Sequence, residues 1–384
     1  MSFEFATAAR IVFGAGSLSE VAPAARHWGS RALLVTGRDR QRSVALVEQL
    51  ESAGLASAVL RVEGEPTVAG VREGVRSAHE NRSEVVIAIG GGSSIDAGKA
   101  IAALLTNGPE PLDYLEVVGR GLPLIHPSAP FIAIPTTAGT GSEVTRNAVL
   151  ASPEHGVKAS LRSPHMLPRL AVVDPELTRD LPAALTASTG LDALTQLLEA
   201  WVSVRANPIA DGFSVEGLPR VARSLRRAYR NGGDVEARSD MSLAALLSGL
   251  ALANAGLGAV HGFAAPVGGM FDAPHGAVCA ALLPHATAVN IAALRSRAPE
   301  SERLQRYGEA ARMLTGNAQA SAGDLAPWLL DLCRDLKIPS LRACGLGEQH
   351  ADDLVEKAAA SSSMKGNPIT LTNRELHEIL ARAL

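Results

Sequence analysis

The sequence predicts an α/β N-terminal domain on a parallel, helix-covered sheet, followed by an all-α C-terminal domain. Short β-branched runs alternate with helical stretches through the first half of the 384 residues, the pattern of parallel strands joined by crossover helices. From Pro182 to Leu384 almost every segment reads as helix, punctuated by Gly and Pro. The length exceeds one ordinary core, and the change of character divides the chain into 1–178 and 179–384.

In chain order, "RALLVTG" (31–37) is a strand and "SVALVEQLESAG" (43–54) a helix closed by Gly54. "ASAVLRV" (56–62) is the next strand, and "TVAGVREGVRSAHEN" (67–81) a helix. "EVVIAIG" (84–90) is a wholly apolar strand, "SSIDAGKAIAALLT" (93–106) a helix, and "PFIAIPTT" (130–137) a strand entering a Gly/Thr loop. "STGLDALTQLLEA" (188–200) opens a helix whose Leu191, Leu194, Leu197 and Leu198 share an apolar face. Asp192 and Gln196, one helical step of four apart, share another face, as half of a metal site or as a solvated polar side. Residues 243–260 carry no charge for 18 positions. Gly249, Asn254, Gly256 and Gly258 make this run a poor membrane span, so it predicts a buried helix packed through small residues.

The composition is 47% hydrophobic and 20% charged with a net charge of −3, which offers no electrostatic case for nucleic acid or an anionic membrane. Cys279, Cys333 and Cys344 form no CxxC pair and no disulfide framework, as expected in a reducing cytoplasm. The N-terminus "MSFEFATAAR" lacks the charged flank and apolar core of a signal peptide.

Two loops carry the chemistry of the first half. Gly90, Gly91, Gly92 and Ser93 lie between an apolar strand and a helix. Glycine backbones and a helix N-terminus there make either a diphosphate cradle or a tight turn. "PTTAGTGSEVTRN" (135–147) adds the hydroxyls of Thr136, Thr137, Thr140, Ser142 and Thr145, a second nucleotide loop or simple turn chemistry. In the second half, His261, His275 and His285 occur among small apolar residues. Asp192, His261 and His275 would supply three N/O ligands with an open position; satisfied core histidines are the alternative.

These motifs, in the order "RIVFGAGSL", "GGGSSIDAGKA", "PTTAGTGSE", "VDPELT" and "HGFAAPVGGMFDAPHG", resemble the iron-containing (group III) alcohol dehydrogenase family of the dehydroquinate synthase-like fold. The resemblance covers the chain to about residue 290. It implies a Rossmann-like sheet, a homodimer, NAD or NADP, a divalent metal (Fe or Zn) and a small alcohol or aldehyde substrate. It also implies that Gly92 and Ser93 bind the pyrophosphate, with Gly91, Asp96, Thr136, Thr137, Thr140, Asn147 and Lys158 in the cofactor site. Asp192, His261 and His275 match three of the four metal ligands, and as such would be catalytic.

Two positions depart from the family pattern. The fourth ligand, a histidine four residues after the aspartate, is Gln196 here, whose amide oxygen is a weaker ligand. Glycerol dehydrogenase-like relatives hold zinc with one Asp and two His. The position of a histidine near the nicotinamide is Ala265. Where NAD-preferring members end the first strand with an aspartate, this chain has Gly37 followed by Arg38, Arg40 and Arg42; that set accommodates a 2′-phosphate or is an ordinary basic run. Two other enzyme readings stay open: a metal-free reductase like maleylacetate reductase, and a metal- and NAD-dependent lyase like dehydroquinate synthase. A non-catalytic nucleotide-binding protein is a further one.

Overall fold

The computed structural model describes residues 2–38, 40–271 and 273–384, with only the backbone described for Arg40, Gln41 and Arg42. Backbone packing divides the chain into two compact units, Ala6–Arg179 and Asp180–Leu384, the latter joined by the N-terminal residues to Phe5.

In the first unit the elements run β1 (Ile11–Phe13), α1 (Val21–Trp28), β2 (Arg31–Thr36), α2 (Arg40–Ser52), β3 (Ala56–Arg61), α3 (Val68–Glu80), β4 (Val85–Gly90), α4 (Gly92–Asn107), β5 (Phe131–Pro135), β6 (Asn147–Ser152), β7 (Val157–Arg162) and β8 (Leu170–Val173). Six strands form one parallel sheet in the order β1-β8-β5-β4-β2-β3. Alternation sends Leu33, Val35, Val86 and Ala88 to the face covered by Val71 and Val75 of α3 and Ile95 and Ile101 of α4. Leu34, Val85, Ile87 and Ile89 meet Val21 and Ala25 of α1 and Leu46 and Leu50 of α2 on the other. Burial on both faces is why these strands read as continuous apolar runs.

The antiparallel hairpin β6–β7 and the edge pair β1–β8 lie outside the strands read from sequence. β1 has three residues and β8 four, too few for a periodic signal. The hairpin is only half-buried along each strand.

The second unit is helical: α5 (Ala183–Val202), α6 (Pro208–Arg230), α7 (Val235–Ala255), α8 (Ala259–Met270), α9 (His275–Arg297), α10 (Glu302–Thr315), α11 (Ala322–Asp335), α12 (Ala351–Ala360) and α13 (Asn373–Ala383). Two sequence expectations change. α5 starts five residues before Ser188, so "STGLDALTQLLEA" is the middle of a helix rather than its opening. The run 243–260 is not one helix: α7 stops before Gly256, whose φ of 71° suits glycine, and α8 leaves at 99°. α9 is long and apolar enough to cross a membrane, but 72% of its apolar window is buried inside the protein, as in a core helix.

Candidate active site

At the carboxyl ends of β2, β4 and β5 the two glycine-rich loops abut. The Thr136 amide donates to the Gly90 carbonyl at 2.8 Å. A Cβ on Gly92 would come within 3.0 Å of the Thr140 side chain, and one on Gly91 within 3.4 Å of Thr137. Gly37, the residue after β2, faces the Ser94 hydroxyl. No side chain caps the start of α4, so its first amides and positive dipole end address whatever occupies this edge. The β6–β7 hairpin is tied to the same edge: the Val149 amide donates to Asp96 Oδ2 at 3.0 Å, and the Ala151 amide to the Pro66 carbonyl at 2.8 Å. The hairpin carries Asn147 and Lys158, whose Nζ is 3.3 Å from Glu65 Oε1. Gly37, Gly91, Gly92, Ser93, Asp96, Thr136, Thr137, Thr140, Asn147 and Lys158 thus all belong to one edge of one sheet or to the hairpin fastened to it. Exposed Arg38 donates to the Glu63 carbonyl at 2.8 Å; the side chains of Arg40 and Arg42 lie outside the described residues.

One buried cation organises this edge. Lys99, 1% exposed, donates to the Ser142 carbonyl at 2.8 Å, Thr145 Oγ1 at 2.9 Å and the Asn147 carbonyl at 2.7 Å, with Asp96 Oδ1 3.7 Å away. It therefore pins the second loop and the hairpin to α4. Nearby Glu143 is buried, and desolvation raises its pKa to about 7, against the pull of its own backbone amide and of Lys99. In the unfolded chain Glu143 titrates near 4.5, so the folded protein holds this proton more tightly. Its stabilising contribution is complete below about pH 4.5 and is lost as pH rises through about 7, on the order of 3 kcal/mol in full. Denaturation midpoints measured from pH 5 to 8 should fall in the wild type, and fall less in Glu143→Gln; equal slopes would remove Glu143 from the account.

In the helical unit α5, α8 and α9 bring Asp192, His261, His275 and Cys279 together, with one donor atom from each within 4.8 Å of the others. Asp192 Oδ1 is 3.4 Å from His261 Nε2 and 3.7 Å from His275 Nε2. Cys279 Sγ is 3.8 Å and 3.6 Å from the same two nitrogens. Gly276 permits this: a Cβ there would come within 2.6 Å of the Ser188 carbonyl, so glycine lets the start of α9 press against the backbone of α5. Asp192 is 1% exposed and Gln196 3%, so this face of α5 is no solvated side. Glu199, one helical turn beyond Gln196, accepts from the Val260 amide at 2.7 Å and holds His261 Nδ1 at 2.7 Å. In the neutral imidazole, with Nδ1–H given to Glu199, Nε2 would present its lone pair to the cluster.

Burial opposes charge on Asp192 and Cys279, yet His275 and His261 hold both below their ordinary values. The facing Cys279 sulfur, with Asp192, raises His275; burial opposes the rise of His261, which Cys279 and Asp192 overcome. Asp192 Oδ1 is nonetheless buried without a hydrogen-bond partner. An orphaned carboxylate oxygen facing two imidazoles and a thiol is a donor set that fits a divalent cation.

Family models for iron-containing alcohol dehydrogenase and for the C-terminal part of the Fe-containing alcohol dehydrogenase family match residues 8–175 and 186–384 respectively. The chain belongs to the iron-containing alcohol dehydrogenase family. It is 36% identical over 377 residues to alcohol dehydrogenase 4 of Saccharomyces cerevisiae, spanning 97% of this chain and 96% of that one. It is 32% identical over 384 residues to the NAD-dependent methanol dehydrogenase of Bacillus methanolicus, spanning 97% of each. A crystal structure of a 1,3-propanediol oxidoreductase matches over 100% of both chains with a TM-score of 0.92 and 32% identity. The chain is accordingly an oxidoreductase acting on CH–OH groups, in a family that pairs a nicotinamide cofactor with a divalent metal.

Within the family pattern, Gln196 directs its amide oxygen to the Ser248 hydroxyl at 2.7 Å. Ala265 is an exposed alanine one turn beyond His261 and brings no titratable group. His285, on α9 ten residues after His275, is outside the four-residue cluster. Sequence reasoning passed over Lys99, Glu199 and Cys279. The last two were signalled by spacing: Glu199 follows Asp192 by seven residues and Cys279 follows His275 by four, both helical repeats. Replacing Glu199 by Gln should lower metal affinity by about 10- to 100-fold through loss of the imidazole's anionic partner. Competition against a zinc indicator measures this, and an unchanged Kd would leave Glu199 only a structural role.

Proposed function

We propose that the chain is an NAD(P)-dependent, metal-dependent alcohol dehydrogenase, working in either direction between a small alcohol and its aldehyde or ketone. The single observation that carries the metal is the buried, unpartnered Asp192 Oδ1 facing His261 and His275. A divalent cation there would supply Lewis acidity toward the substrate oxygen while the nicotinamide supplies or accepts hydride.

The chain's own residues do the rest. Asp192, His261 and His275 hold the cation, and Glu199 fixes the His261 tautomer. Gln196 stands at the family position of the fourth ligand, with its amide oxygen on the Ser248 hydroxyl. Gly91, Gly92 and Ser93 at the start of α4 meet the diphosphate, flanked by Thr136, Thr137, Thr140, Asn147 and Lys158, while Asp96 anchors the hairpin. Gly37 sets no carboxylate against a 2′-phosphate and Arg38 adds charge beside it, so NADPH should bind at least as tightly as NADH. With Ala265 in place of a histidine, the alcohol proton passes to water, a ribose hydroxyl or another side chain. A homodimer in the cytoplasm completes the reading; the three cysteines are free thiols, which suits a reducing compartment.

Fluorescence titration with NADPH and NADH, followed by turnover of a panel of short aldehydes before and after chelation, tests the proposal. Binding of a reduced cofactor and chelator-sensitive turnover are expected. No cofactor binding would sink the dehydrogenase reading, and full activity after complete metal removal would leave a metal-free reductase.

A further inference from the structure

We infer that Cys279 is the fourth protein ligand of the metal, taking the place that Gln196 leaves vacant and making the donor set one carboxylate, two imidazoles and one thiolate. The inference rests on the metal-dependent reading above. It is carried by distances. Around a tetrahedral cation with bonds of about 2.0–2.1 Å to N and O and about 2.3 Å to S, neighbouring donors lie about 3.3 Å (N to O) and about 3.5 Å (N to S) apart. Asp192 Oδ1 stands 3.4 and 3.7 Å from the two Nε2 atoms, and Cys279 Sγ 3.8 and 3.6 Å from them. These carboxylate–imidazole and thiol–imidazole separations, between atoms from three helices that all lie within 4.8 Å of one another, are within a few tenths of an ångström of the donor spacings of such a site. No hydrogen-bond partner takes up the Asp192 oxygen that points into it.

The Gln196 amide oxygen lies 2.7 Å from the Ser248 hydroxyl, so as a ligand it would share its lone pairs with that bond. The two candidates also differ in chemistry. On binding, the Cys279 S–H bond breaks, the proton leaves to water and the sulfur lone pair forms the bond to the cation, so an anionic soft donor is added. A neutral amide adds only a dipole. A thiolate shifts the preference of the set toward zinc or cobalt and away from the harder oxygen- and nitrogen-rich environment of an iron site. With four protein donors, such a site would reach a substrate oxygen only by expanding its coordination, as catalytic zinc sometimes does.

The test is cobalt substitution of the full-length protein after chelation. A bound thiolate gives a near-ultraviolet sulfur-to-cobalt charge-transfer band that histidine, carboxylate and amide ligands do not. One equivalent of Co2+ should bind with this band, and the band should persist in the Cys333→Ala/Cys344→Ala double variant, where Cys279 is the sole thiol. Cys279→Ser should abolish the band and raise the Kd for Zn2+ by more than the roughly 100-fold cost of losing an outer partner; Gln196→Ala should keep both band and stoichiometry. Stoichiometric cobalt without the band, or a band unchanged in Cys279→Ser, overturns the Cys279 assignment while leaving the metal reading intact. Failure of the wild type to bind cobalt or zinc at all overturns both. The double variant leaves Cys279 in place, so the spectrum decides even if Cys279→Ser fails to fold.

Discussion

Lys99→Met should destabilise the protein by about 3–5 kcal/mol and abolish measurable dinucleotide binding. Methionine matches the length of the lysine stem, so the packing around α4 survives and the loss isolates the ammonium. That group gives three hydrogen bonds at 2.7–2.9 Å and stands 3.7 Å from Asp96. Without it, the Ser142 and Asn147 carbonyls lose a donor and the Asp96 carboxylate is left with the Val149 amide and the Ser142 hydroxyl but no cation. Removing one partner of a buried pair costs this much because the other charge stays buried and uncompensated. Burial lowers the pKa of Lys99 and raises that of Asp96, each against the pull of the other, so either charge depends on its partner. Denaturant titration and NADPH fluorescence measure the two effects. A variant within about 1 kcal/mol of wild type that still binds cofactor would show that Lys99 does not organise the edge.

The same residue shows what the sequence could not reveal. Lys99 stands in a helix beside Ala and Gly, and nothing local separates a surface lysine from a buried one; its partners lie 43 to 48 positions away. The strands β2, β4 and β5, by contrast, were legible because burial on both faces writes unbroken apolar runs. The loops after β4 and β5 were legible because close backbone approach demands glycine, as at Gly92 against Thr140. β6 and β7 were hidden because a hairpin lying half-exposed on a loop edge needs no strong pattern. In the helical unit, Asp192 and the histidines stood out as polar residues in apolar surroundings. Cys279 carried only its four-residue spacing from His275, a weak signal in a thiol that among Ala, Val and Leu otherwise reads as one more small hydrophobe. Only the fold, through Gly276 pressed on α5, turns it toward Asp192.

Asp192→Asn should remove most of the stability that the protein gains from metal. The substitution keeps the side chain's shape, and Asp192 is 1% exposed, so the packing of α5 is retained while the cluster loses its carboxylate. A ligand that binds only the native state stabilises it by RT ln(1 + [L]/Kd), about 4 kcal/mol at a thousandfold excess over Kd. Loss of a direct anionic ligand should weaken Zn2+ binding beyond the roughly 100-fold ceiling for outer partners. At the same zinc concentration the stabilisation then falls to about 1.4 kcal/mol or less. The comparison must be made with and without zinc, because Asn also loses the charge that faces His275 and His261 in the metal-free protein; the zinc-dependent difference cancels that contribution. Thermal midpoints of both proteins, chelated and zinc-loaded, give the four values. An equal zinc-dependent rise in wild type and Asp192→Asn would exclude Asp192 as a ligand, and with it the arrangement on which the dehydrogenase chemistry rests.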